Sequence, residues 1–134
     1  MAQTGIVGEG VLGKSVEGTR RKLDPIELLP SVKFIRYESD EIFSHCPQTG
    51  QPDFYTAKIE VTDPAYGVES KSLKLFLQSF EDKEACQFCE EFADTIATEV
   101  HHATKAWQTR VELVQKPRGG ITISAVSTHR REKG

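Results

Sequence analysis

Ala85-Cys-Gln-Phe-Cys-Glu-Glu-Phe-Ala-Asp-Thr-Ile-Ala-Thr-Glu-Val100 is the stretch where the hydrophobic period of this chain changes. Its apolar residues recur at intervals of three and four (Ala85, Phe88, Cys89, Phe92, Ala93, Ile96, Ala97, Val100), which makes one stripe along a helix. Asp82, just ahead, suits an N-cap, and the acids of the first turn suit the helix dipole. On both sides the period is two. Ser31–Tyr37, Phe54–Val61 and Ser70–Phe80 alternate upstream, the last with Leu73, Leu75 and Leu77 on one side. Trp107–Val114 and Ile121–Val126 alternate downstream, across a Lys-Pro-Arg-Gly-Gly segment (116–120) that reads as a hairpin turn. Strands, then a helix, then strands predict an α+β domain: one antiparallel sheet with the helix packed on one face. A single helix covers little of such a sheet, so neighbouring subunits are expected to cover the rest. The domain is expected over 26–127, with a flexible arm at 1–25 and a polar tail at 128–134.

The chain has 134 residues, a net charge of −3 and a hydrophobic fraction of 37%. That is one domain with a limited core. The negative balance argues against a dedicated nucleic-acid binder, whose affinity rests on neutralising phosphates. Three cysteines do not suit a paired disulfide framework and fit a reducing cytoplasm, and no apolar run spans a membrane. Gly8–Ser15, GEGVLGKS, matches the phosphate-loop pattern G-x-x-x-x-G-K-[ST]. No buried strand precedes it and no helical stripe follows, so the nucleotide-hydrolase reading is rejected.

Reactive groups are densest in His45-Cys-Pro-Gln-Thr-Gly-Gln-Pro-Asp-Phe54. A loop cysteine acts as a nucleophile when its thiolate is stabilised, and the nearby Asp53 can move a proton. On spacing alone a small buried thiol and a turn aspartate are the commoner outcome. The C-x-x-C of Cys86 and Cys89 lacks two further ligands at zinc spacing, so no metal is assigned.

The loop SHCPQTGQPDF and the segment Val68-Glu-Ser-Lys-Ser-Leu-Lys-Leu-Phe76 together closely resemble the QueF-type 7-cyano-7-deazaguanine (nitrile) reductases. The family hallmark is Glu-(Ser/Leu)-Lys-(Ser/Ala)-hydrophobic-Lys-(Leu/Tyr)-aromatic, read here as a strand. The resemblance implies a tunnelling fold (T-fold), with sheets joined into barrels in a homo-oligomer such as a decamer and sites between subunits. It implies a cytoplasmic enzyme of queuosine biosynthesis that reduces the nitrile to the aminomethyl product with NADPH, through a thioimide on Cys46. Asp53 would be the proton donor. Glu69, Ser70, Cys89 and Glu90 would meet the substrate, and Lys71, Lys74 and Arg118 the cofactor phosphates. Cys89 stands where family members carry histidine, and Glu81 where they often carry arginine. The resemblance also leaves an amidine-forming relative of the archaeosine type and a purine-binding module without turnover as alternatives.

Overall fold

The computed structural model describes residues 22–132. The GEGVLGKS segment lies outside them. Six strands and two helices follow in the order β1 (Pro25–Glu27), β2 (Phe34–His45), β3 (Pro52–Thr62), β4 (Tyr66–Val68), α1 (Ser70–Gln78), α2 (Cys89–Thr104), β5 (Gln108–Arg118), β6 (Ile121–Arg130). β2-β3-β5-β6 form an antiparallel sheet in that spatial order, and β1 pairs with β4 in a separate two-stranded ribbon. β6 continues through Arg130, opposite Gln108, so the sheet takes in residues 128–130 that the pattern assigned to a tail. Asp24 is buried at the other end, inside the segment read as an arm.

Period two puts Tyr55, Ala57, Ile59 and Val61 of β3 on one face beside Thr109, Val111 and Leu113 of β5, all buried. The α2 stripe covers them: Phe92, Ala93, Ile96, Ala97 and Val100 are fully buried. The ring of Phe92 packs 4.4 Å from that of Phe80 and edge-on to Tyr55 at 5.2 Å. Each such side chain withdrawn from water contributes about 1.5–3 kcal/mol, so this seam carries much of the stability. The opposite face is polar, with Arg36 and Arg110 both bonded to Glu60. Gly119 and Gly120 have φ of 64° and 83°, the paired positive values that a two-residue hairpin turn requires.

Two expectations are corrected. Ser70–Phe80 is not a strand: its core runs over α1 and a following 3₁₀ turn (Ser79–Glu81). Leu73, Phe76, Leu77 and Phe80 are the buried apolar positions, spaced by three and four, whereas Leu75 is only half-buried. The carboxylate of Glu69 starts the helix, accepting from the N–H groups of Lys71 (2.9 Å) and Ser72 (2.8 Å). The second helix starts at Cys89, not Ala85. Asp82 caps a separate 3₁₀ turn (Lys83–Ala85), accepting from Glu84 N at 2.9 Å, and Phe88 is the extended N-cap residue of α2.

Candidate active site

β2 and β3 are joined by a loop of residues 46–51, across which His45 faces Pro52. The loop is closed by Cys46 N–H donating to Gln51 O (2.8 Å) and Gly50 N–H donating to Cys46 O (2.9 Å). Gly50 has φ of 73°, which a side chain would strain. His45 Nδ1 adds a contact to Gly50 O at 3.3 Å. Cys46 is thus held at a fixed turn, half-buried. Ser44 and Asp53 are cross-strand partners and share the core face. Ser44 Oγ donates to Phe80 O at 2.6 Å, tying the hairpin to the turn after α1. Asp53 is 6% exposed, so its carboxyl sits where a proton can be handed over away from bulk water.

The first residues of α2 come to the same place. Cys89 is buried with its Sγ 3.7 Å from Leu113 O. Burial pushes its thiol up to about 11, helped by the charges of Glu90 and Asp53 and opposed by the Gln115 backbone hydrogen bond. Glu90 is exposed in the first helical turn, where the helix dipole favours an anion. Leu113 lies two residues from Gln115, which faces Tyr55 on β3, so the start of α2 lies towards the end of the sheet that carries Asp53 and the Cys46 turn.

Glu69, Ser70, Lys71 and Lys74 form a second group at the start of α1. Tyr37 Oη accepts from Val68 N–H at 2.9 Å, which fixes this group at the level of Tyr37 on β2. Burial pushes the Tyr37 hydroxyl up, and the Val68 bond partly offsets it. Tyr37 and Ser44 stand seven positions apart on one strand, about 20 Å. Within one chain, then, Glu69 does not meet Cys46. A cavity of about 340 Å³ beside α1 is lined by Tyr37, Ile42, Ser70, Leu73, Lys74 and Leu77. Arg118 ends β5 opposite Ile121, next to the two-glycine turn. Pattern reading missed Ser44 and Tyr37. The only signal for Ser44 is its place two residues before Cys46, on the buried register of a polar strand.

The family profile of QueF-like proteins matches residues 52–134. The chain belongs to the QueF-like protein family. The NADPH-dependent 7-cyano-7-deazaguanine reductase of Frankia casuarinae is 36% identical over 121 residues, covering 90% of this chain and 95% of that protein. The protein of the same name from Sinorhizobium medicae is 35% identical over 129 residues, 92% of this chain and 82% of that one. Among solved structures, the archaeosine synthase QueF-Like in its apo form superposes with a TM-score of 0.66 at 18% identity, over 73% of this chain and 94% of that one. At that identity the likeness speaks for the fold alone. The chain has the α+β tunnelling fold of the family.

Proposed function

We propose that this protein reduces 7-cyano-7-deazaguanine to 7-aminomethyl-7-deazaguanine with NADPH, in queuosine biosynthesis. The observation that carries the reading is Cys46 held in the β2–β3 turn with the buried Asp53 on the adjoining strand, in a chain similar along most of its length to proteins named for that reaction. A nitrile accepts hydride poorly. Addition of the Cys46 sulfur to the nitrile carbon forms a C–S bond, and the nitrogen takes a proton from Asp53 to give a thioimide, a more reducible C=N bond. The two-step reduction to the amine takes two hydrides, and the C–S bond breaks between them, returning Cys46. Bound NADPH supplies those hydrides.

Recognition falls to the glutamates, since the pyrimidine edge of a deazaguanine presents N–H donors that carboxylates accept. Glu90, exposed in the first turn of α2, is assigned to that edge. Glu69 keeps a lone pair on each oxygen beyond its capping bonds, but it lies about 20 Å away along β2. It therefore serves a neighbouring subunit's Cys46, with Ser70, in a homo-oligomer whose sites are shared. Lys71 and Lys74 are exposed on α1, the latter at the rim of the 340 Å³ cavity, and suit the cofactor's phosphates. Arg118 is assigned the same role. Cys89 forms an apolar, neutral floor where family members carry histidine. A Cys46→Ala variant is expected to lose both the covalent adduct and turnover while keeping the wild-type circular dichroism. Turnover that survived in Cys46→Ala would overturn the mechanism.

A further inference from the structure

We infer that Asp94 is a positioning residue, which clamps the face of α2 bearing Glu90 to the edge strand β6 through Ser127 and His129. The inference rests on the reading of Glu90 as a substrate contact. Asp94 follows Glu90 by four residues, so the two share one helix face a turn apart. Oδ1 of Asp94 takes both bonds from β6: Ser127 Oγ donates at 2.8 Å, and His129 Nε2 lies at 2.9 Å. Thr98, the next residue along that face, places its Oγ1 3.3 Å from the same Nε2. Further down, His101 Nδ1 meets Thr109 Oγ1 of β5 at 2.9 Å. The apolar stripe of α2 fixes the helix on the sheet, but it leaves rotation and sliding of the exposed face to these polar contacts.

The contacts from β6 favour the charged form of Asp94. The Ser127 hydroxyl, and then His129, hold the Asp94 carboxyl below its usual range. The His101 ring on α2 lies 5.9 Å from that of His129, and His101 itself feels the charges of His129, His102 and Arg131. Burial keeps His101 from taking up a second proton as readily.

Asp94 has a side chain 61% exposed, so Asp94→Asn leaves the core intact. Ser127→Ala removes one arm only. The test is amide-exchange protection over residues 92–98 of the whole protein, where the hydrogen bonds of α2 begin, together with steady-state kinetics on 7-cyano-7-deazaguanine. Asp94→Asn is expected to lower protection about three- to tenfold and to raise KM by a similar factor, with kcat within about twofold. Ser127→Ala should give a smaller shift in the same direction. Unchanged protection in Asp94→Asn, or lower protection with an unchanged KM, overturns the inference. A wild-type protein that does not turn over the nitrile sinks the proposed function instead, and the exchange comparison then decides the clamp by itself.

Discussion

Cys89 is expected to be the slow thiol of this protein, by a margin that its surroundings set. A thiol with a value of about 11, against an ordinary 9.0, holds about a hundredfold less thiolate at pH 7.5, and only the thiolate is alkylated. Burial adds to this, because Cys89 is 1% exposed while Cys46 and Cys86 are half-buried. With iodoacetamide under native conditions, Cys89, told apart by fragment ions from Cys86 on the same peptide, should be modified at least about a hundredfold more slowly than free N-acetylcysteine. The same peptide should reach full modification in denaturant. The pH dependence separates charge from access. Raised by burial and by Glu90 and Asp53, the Cys89 rate should keep climbing about tenfold per pH unit past the value at which an ordinary thiol levels off. In Asp53→Asn one of the raising charges is gone, so the rate should be higher at a given pH and level off at lower pH. Peptide mass spectrometry over a time course measures all of this, with Cys46 resolved from the Cys86 and Cys89 peptide by trypsin at Lys58 and Lys83. Alkylation of Cys89 as fast as that of the free thiol would refute the placement of its sulfur, and with it the neutral floor beneath Asp53.

Ser44→Ala should cost about 1–2 kcal/mol, because it strands the buried carbonyl of Phe80, and should lower Tm by roughly 4–8 °C. An unchanged Tm would show that Ser44 does not tie the hairpin to the α1 turn. Acid should destabilise the fold in two windows. His101 is lowered from 6.5 chiefly by burial, so the folded chain binds that proton less readily than the unfolded one. Stability is full above pH 6.5 and is lost as the pH falls through the lowered value; Asp94, lowered from 3.8, repeats this in the carboxylate range. Urea midpoints should therefore drop between about pH 7 and 5 and flatten in His101→Gln, and equal midpoints across that range would contradict the assignment.

The sheet and the α2 seam were legible in the sequence because each rests on a local period: Tyr55 to Val61 alternates, and Phe92 to Val100 steps by three and four. α1 was not. Its leucines at 73, 75 and 77 imitate a strand, and what selects the helix is Phe76 and Phe80 seated on the core together with an unusual cap, Glu69. The polar run Glu38–Ser44 also hid the length of β2, since only Ile42 and Ser44 of it face the core and the rest pairs with β3 in the open. Cys46 and Asp53 were legible as a pair because a short hairpin brings them together whatever the rest of the chain does. The separation of Glu69 from Cys46 was not, because it depends on where α1 docks along β2. The Asp94–His129 contact joins residues 35 apart in sequence and gives no local sign.

The most direct measurement mixes the protein with 7-cyano-7-deazaguanine, first alone and then with NADPH, while intact mass and the absorbance of the reduced cofactor are recorded. A nitrile reductase built on Cys46 gives an adduct of the substrate's mass on the Cys46 peptide, and then two NADPH oxidised for each nitrile consumed. An adduct without cofactor oxidation would contradict the reductase and favour amidine-forming chemistry at the same cysteine. No adduct on reduced Cys46 would contradict covalent catalysis at this site altogether.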